Sequence, residues 1–421
     1  MARTSRLPGF RDLPVEQRRS AAAEALGLEP DLLRALGDGT DPGLADRMIE
    51  NAVGTIGVPV GVASNVTVDG RDVLVPMATE EPSVVAAASH AAKIARVRGG
   101  FATSASDPVM QAQIQVVGVT DPEAGRVRLL EARDELLELA NAQDPVLVRH
   151  GGGARDLAAR IVPSRAGTYV VAHLQVDVRD AMGANSVNTM AEAVARRVGE
   201  VAGGRPLLRI LTNKADLRLS RARAVFDAAE LGGPQVVEDV VHAAALAEAD
   251  PYRAATHNKG ILNGITAVVL ATGNDTRAVE SAAHSHAAAN GQYAALSRFE
   301  KDADGNLVGS LELPVPVGLI GGATTVHPAA RAAVALLGVE TAAELARIIT
   351  AVGLAQNLAA LRALATEGIQ RGHMSLHARN IAASAGAGPE EIPQVVERLV
   401  AEGAVRGDRA EQVLAELRAR T

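Results

Sequence analysis

The 421-residue chain has no cysteine and no tryptophan, and aromatic residues make up only 2% of it. Without cysteine there is no disulfide, thiolate zinc site, iron-sulfur ligation or cysteine nucleophile, and a reducing compartment is the default expectation. With so few rings, the core has to be built from alanine, valine, leucine and isoleucine. Basic charge is not in excess either: the formal net charge is -7 and the pI about 5.9. That argues against nucleic acid as a main partner, because neutralising phosphates needs a basic surface. Long apolar runs are also missing. A membrane span needs roughly 18 uninterrupted apolar residues, and "VGLIGGATTVHPAARAAVALLGV" is broken by His327 and Arg331. The polar, proline-broken start "MARTSRLPGFRDLP" has no apolar core of the kind a signal peptide needs. A soluble cytoplasmic protein with no membrane partner is expected. Lysine is scarce too: four of the 42 basic residues, Lys93, Lys214, Lys259 and Lys301.

What is present bounds the architecture. The length exceeds one ordinary core, at about 100 to 200 residues per domain. Charged residues at 22% and hydrophobic ones at 48% are ordinary for an ordered globular chain. Residues 1–107 mix helix and strand. "LEPDLLRALG" and "GLADRMIENAVG" read as helices, and "VASNVTVDGRDVLVPM" as a hairpin around Asp69-Gly70. "EEPSVVAAASHAAKIARVRGG" reads as a helix with Pro82 in its first turn, Ser83 as cap and Gly99-Gly100 as its stop. From 108 to 212 the period changes to two, as in "MQAQIQVVGV" and "TYVVAHLQVDV". Such alternation predicts an antiparallel sheet covered on one side by the helices "EAGRVRLLEARDELLELANAQ" and "SVNTMAEAVARRVGEVAG", a small domain inserted into a larger one. Residues 213–367 return to helix-rich, small-residue sequence, with "ITAVVLAT" reading as a buried strand. Residues 368–421 are helical segments joined by glycine-rich breaks, able to move as a flap. The expected fold class is therefore α+β.

Several residues carry possible chemistry. Lys259, in "THNKGILNG", is either a surface-loop lysine or a compact ammonium with three donors for a ligand oxygen. In "ATGND", Asp275 either holds and charge-tunes that lysine or makes an Asx turn with Asn274. Glu80 and Glu81 either complement a helix dipole or send one carboxyl into a cleft as a proton donor. His373 and His377, in "QRGHMSLHARN", have the i, i+4 spacing of a metal-binding helix face, but no HExxH accompanies them. His373, after Gly372 at the start of the flap, suits a general acid near neutral pH. A metal-dependent hydrolase built on His257, His373 and His377 is one rival reading, and a non-catalytic helical scaffold is another. "DVRDAMGANSVN" runs from strand through turn into helix, the geometry that offers backbone N–H groups to a phosphate. No GxGxxG follows a strand, so a Rossmann domain is not expected.

Taken together, "IENAVG", "VPMATEEPSVVAAAS", "GGFATSAS", "DVRDAMGANSVNTMAEAV", "DPYRAATHNKGILNG", "ATGND", "VGLIGGAT", "GLAQN" and "LATEGIQRGHMSLHARN" resemble bacterial class II hydroxymethylglutaryl-coenzyme A (HMG-CoA) reductases, in that family's order and over nearly the whole chain. The resemblance implies a large substrate domain, an inserted ferredoxin-like, non-Rossmann cofactor domain and a C-terminal flap. It implies interconversion of HMG-CoA with mevalonate and coenzyme A by two hydride transfers, with Glu81, Lys259, Asp275 and His373 as the catalytic set. Lys259 would stabilise the oxyanion, Glu81 exchange a proton with it, Asp275 tune Lys259, and His373 protonate the coenzyme A thiolate. Arg253, Ser83, Asn263 and Gln356 would contact the hydroxymethylglutaryl group, and Arg11 a coenzyme A phosphate. Asp180, Met182, Gly183, Asn185 and Asn213 would line the dinucleotide site, and Asp144 would take the ribose hydroxyls. An acid there repels the extra phosphate of NADP(H), so NAD(H) is favoured; no metal is implied. "ENAVG" stands where the family usually has "ENVIG", its dimerisation motif. A homodimer with the active site at its interface is expected, with a hexamer as a trimer of dimers beyond it.

Overall fold

The computed structural model of the protein describes residues 4–29, 32–33, 42–366 and 378–419. Two sheets organise it. The larger has six strands: β1 (Val60–Val68), β2 (Arg71–Ala78), β3 (Phe101–Ala105), β8 (Leu219–Phe226), β9 (Ser297–Lys301) and β10 (Leu307–Pro314), in the order β2-β1-β3-β8-β10-β9. Only β1 and β3 pair in parallel. The smaller has β4 (Val109–Val117), β5 (Gly153–Ser164), β6 (Gly167–Asp177) and β7 (Arg205–Leu211), all antiparallel, in the order β5-β6-β4-β7.

The helices, in chain order, begin with α1 (Val15–Leu26), α2 (Pro42–Met48) and α3 (Val84–Arg96). Between β4 and β5 lie α4 (Pro122–Glu131), α5 (Arg133–Asn141) and α6 (Pro145–Arg149), and α7 (Ala184–Ala202) follows β6. After β8 come α8 (Ala228–Leu231), α9 (Pro234–Ala249), α10 (Pro251–Ala271) and α11 (Thr276–Ala287). The remainder are α12 (Gly322–Val326), α13 (Pro328–Leu337), α14 (Ala342–Ala365), α15 (Ile392–Ala401) and α16 (Gly407–Arg418).

The hairpin expected at Asp69-Gly70 forms as β1 and β2. Val68 pairs with Arg71, and the two turn residues take φ of 50° and 79°. Positive φ at both central positions is what a two-residue hairpin turn demands. The period-two strands also form: in β4, Met110, Ala112, Ile114 and Val116 face a closed core with Leu129, Leu136, Val187, Met190, Val194 and Val198 from α4, α5 and α7. The long helix read through 123–143 is broken at Ala132 into α4 and α5.

Two sequence expectations differ from the structure. "ITAVVLAT" is not a strand; Ile265 to Ala271 are the last turns of α10. An apolar run bounded by glycine cannot be told from a buried helix by periodicity, and one side of α10 packs against sheet and helices, with Ile261, Leu262, Ile265, Val268 and Val269 all buried. Gly264 serves close packing: a Cβ on it would stand 2.8 Å from Gln356 Cβ and 3.2 Å from Val352 O of α14. Second, the stretch after 213 contributes β8, β9 and β10, half of the large sheet, besides its helices. Its core joins Phe101, Phe226 and Phe299 to α3, α9, α10 and α14, so three of the four phenylalanines meet there. Among the described residues one helix, α14, is long and apolar enough to cross a membrane, and 67% of its apolar window is buried inside the protein.

Candidate active site

The residues after β2 carry Glu81 to the exposed face of α10. Glu81 N–H donates to Thr79 Oγ1 at 3.1 Å, fixing the bend. Its Oε2 then accepts from Lys259 Nζ at 2.9 Å and from Asn263 Nδ2 at 3.2 Å. Lys259 and Asn263 stand one turn apart, so one helix face supplies both donors. The lysine side chain remains 62% exposed and the glutamate 33%, which leaves the ammonium open to a ligand.

Two polar atoms beside this group have no partner. Ser83 Oγ and Gln356 Oε1 are buried without a hydrogen bond. Buried hydroxyls and amides are normally satisfied, so both atoms have hydrogen-bonding capacity left for water or a bound polar group. Ser83 does not cap α3, contrary to the sequence expectation. The helix begins at Val84, and Ser83 sits at φ 80° with no cap bond. A non-glycine residue at such φ is strained and persists only where its surroundings hold it. Arg253, half-buried in the first turn of α10, has no side-chain partner among the described residues.

Asp275 is elsewhere. It caps α11, accepting from Arg277 N at 2.9 Å and Ala278 N at 3.2 Å, with Arg277 Nε at 3.3 Å. Within one chain the carboxylate in contact with Lys259 is Glu81, while Asp275 is held at the start of α11. His373 and His377 lie outside the described residues, as does the side chain of Arg11.

His257 points inward. Its Nε2 meets Ser297 Oγ at 2.7 Å, and Ser297 donates to Asn357 Oδ1 at 2.6 Å. The amide oxygen only accepts, so Nε2 carries the proton and the buried Nδ1 is bare. Burial first, then Arg253, push the imidazole pKa down to about 4. Among the described residues no three histidines or carboxylates gather as metal ligands.

The strand-turn-helix expected near 180 is formed by β6, the turn 178–183 and α7. Gly183 takes φ 101°, and a Cβ there would lie 2.5 Å from Val178. Asp144 caps α6 through Leu147 N at 2.9 Å and accepts from Ser186 Oγ at 3.1 Å, which sets its carboxylate at the start of α7. Asn185 and Asn213 are exposed and Met182 is half-buried. Asp180 is used structurally: its Oδ1 accepts from Ala342 N at 2.8 Å at the start of α14. Arg218, which no sequence feature singled out, lies buried beneath the turn. It donates to Ala181 O at 3.0 Å, Met182 O at 3.2 Å and Val317 O at 2.6 Å. An arginine in "ADLRLSRARAV" has no local signal that separates it from its exposed neighbours.

A profile of hydroxymethylglutaryl-coenzyme A reductases matches residues 14–378. The chain belongs to the HMG-CoA reductase family. It is 53% identical to the 3-hydroxy-3-methylglutaryl-coenzyme A reductase of Archaeoglobus fulgidus over 418 residues, covering 99% of this chain and 96% of that protein. Its fold is similar to that of a 3-hydroxy-3-methylglutaryl-coenzyme A reductase from Streptococcus pneumoniae, with a TM-score of 0.84 at 39% identity, over 97% of this chain and 99% of that one. A class II reductase of the same organism, bound to NADPH in open conformations, gives a TM-score of 0.83 at 40% identity over 85% of this chain and 99% of that one. The expected α+β class and the family resemblance are borne out. Membership also implies a nicotinamide cofactor.

Proposed function

We propose that this chain interconverts HMG-CoA with mevalonate and coenzyme A, using Glu81 and Lys259 at the reacting carbonyl. The observation that carries the reading is the single oxygen of Glu81 receiving both Lys259 and Asn263, beside the two unpartnered buried atoms of Ser83 and Gln356. Lys259 presents a compact positive charge where a thioester oxygen becomes negative, the kind of preorganised stabilisation that lowers such barriers most. Glu81, already in contact with the ammonium, is placed to give the oxygen its proton. Asn263, Ser83 and Gln356 supply hydrogen bonds to the hydroxymethylglutaryl group, and the unpaired Arg253 suits its free carboxylate. His373 would protonate the leaving thiolate, whose ordinary pKa of ~8.5 lies above that of imidazole at ~6.5. Arg11 would meet a coenzyme A phosphate.

The cofactor residues fit their group. Arg218 holds the carbonyls of Ala181 and Met182 and so fixes the turn at the start of α7, a helix end where an anion is favoured. Asp144 stands at the same helix end, suited to ribose hydroxyls; this favours NAD(H) over NADP(H). When bound, a reduced nicotinamide would supply one hydride, so the thioester and then the aldehyde each draw on a separate cofactor molecule. Residues 1–107 with 213–367 form the substrate domain, 108–212 the cofactor domain and 368–421 the flap.

Asp275 acts in this reading across a homodimer, reaching the Lys259 of a second copy. Two observations support it. Within its own chain Asp275 is engaged by Arg277 and Ala278 at the start of α11, and the segment around "ENAVG" is apolar and open, with Ile49 60%, Ile56 95% and Val53 fully exposed. The test follows nicotinamide absorbance in both directions, with NAD(H) and NADP(H), using mevalonate plus coenzyme A or HMG-CoA. Turnover in either direction is expected, and silence in all four assays refutes the reading.

A further inference from the structure

We propose that Arg218 is a positioning residue for the nicotinamide cofactor: its guanidinium ties the carbonyls of Ala181 and Met182 to that of Val317, setting the dinucleotide turn in register with the segment after β10 that hydrogen-bonds Asn274, the neighbour of Asp275. The inference rests on the cofactor site described above.

Arg218 is 5% exposed, and its guanidinium spends its donors on main-chain carbonyls. Nη1 takes the two from the turn and Nη2 takes Val317, so the planar fork bridges two separate segments in fixed geometry. The bridge continues on its far side. Gly318 N–H donates to Asn274 Oδ1 at 2.8 Å, and Asn274 immediately precedes Asp275. Leu319 N–H donates to Asp180 O at 2.8 Å, and Ala181 pairs with Ile320 as an isolated parallel bridge. The two segments are in direct contact: a Cβ on Gly318 would meet Met182 N at 2.4 Å and Ala181 C at 2.8 Å. The turn at the start of α7 is thus clamped against the segment that orients Asn274. Burial lowers the Arg218 pKa to about 10, opposed by Asp180 and Asp177, so it stays charged at neutral pH.

A merely structural arginine would affect all ligands alike, whereas a positioning one affects the cofactor alone. Arg218→Lys keeps the charge but its single nitrogen cannot span both segments. Gly318→Ala pushes the turn away while leaving Arg218 intact. Cofactor dissociation constants are read from nicotinamide fluorescence with NADH and NADPH, coenzyme A binding by calorimetry, and amide exchange over 179–187 in the cofactor-free protein. The expected result in both variants is cofactor binding weaker by roughly tenfold to a hundredfold, coenzyme A binding within about twofold, and faster exchange over 179–187 with α10 protection unchanged. Equal weakening of both ligands overturns the inference in favour of a structural role. If cofactor binding is unchanged in these variants but weakened in Asn185→Ala and Asp144→Ala, the positioning role falls and the site stands. If all four variants bind as the parent does, the cofactor site itself is misplaced and the inference falls with it.

Discussion

Replacing Lys259 with methionine separates what the residue does for the fold from what it does for the reaction. Methionine keeps the unbranched chain and the helix propensity, so the perturbation is the lost ammonium. For the fold, that ammonium contributes one ion pair to Glu81 whose partners are 62% and 33% exposed. Pairs of that kind are worth about 0 to 1 kcal/mol, and no buried contact is removed with it. For the reaction, the loss removes a positive charge from the developing oxyanion, and deleting one such donor costs about 2.7 to 4 kcal/mol in barrier, or roughly a hundredfold to a thousandfold in kcat. Lys259→Met is therefore expected to unfold in urea within about 1 kcal/mol of the parent while losing at least two orders of magnitude in kcat. Steady-state oxidation of the nicotinamide with HMG-CoA, beside a urea titration, measures both. Retained turnover, or a fall in activity matched by a collapse in stability, refutes the assignment. Lys259→Arg sharpens the test. It restores charge but brings a planar fork where a compact ammonium meets Glu81 and Asn263, and turnover is expected to remain well below that of the parent.

Asp144→Asn keeps an acceptor for the α6 cap and removes the charge, so the ratio of kcat/KM for NADP(H) over NAD(H) should rise by about tenfold, equivalent to 1.4 kcal/mol; an unchanged ratio would show that the carboxylate is not beside the ribose. His257 has a folded pKa of about 4 against an ordinary 6.5, so acidification protonates the unfolded chain first. Its share of stability is intact above pH 6.5 and falls by about 3 kcal/mol on the way to pH 4. Urea titrations across that range should show a steeper decline for the parent than for His257→Gln, and equal slopes would refute the burial argument. Gly264→Ala sets overpacking of about 1 to 3 kcal/mol against a helix-propensity gain of about 1 kcal/mol. Because the obstruction is Gln356 Cβ at 2.8 Å, next to the backbone, a net loss of up to about 2 kcal/mol is expected, and a stabilised variant would mean that α10 and α14 are free to separate.

Where local chemistry decides structure, the sequence could be read directly. Asp69-Gly70 accepts the positive φ of a tight hairpin, and the alternation in β4 and β6 needs only one wet face and one dry one. It misled where tertiary contacts decide. Residues 265–271 are apolar but for Thr266 and mostly buried, which blurs the helical period. The positive φ of Ser83 is imposed by its surroundings and leaves no mark in residue type. Lys259 stood out by rarity, and Glu81 was already suspected as a proton donor, but their contact spans 178 positions and no spacing rule predicts it. Arg218 was invisible for the same reason: an arginine that serves three distant carbonyls reads like any exposed one.

The four-stranded unit leaves the large sheet after β3 and returns at β8, and those strands are antiparallel neighbours, with Ala105 paired to Ser220. Ser106 closes the doorway, its N–H donating to Leu219 O at 2.9 Å and its hydroxyl to Leu217 O at 2.7 Å. Entry and exit are thus about 5 Å apart. An ancestral sheet could have received such a unit at a simple hairpin without changing the register of any strand, since insertions at exposed loop tips are the ones most readily tolerated. The same doorway means that a change of length within the four-stranded unit need not alter the pairing of β3 with β8.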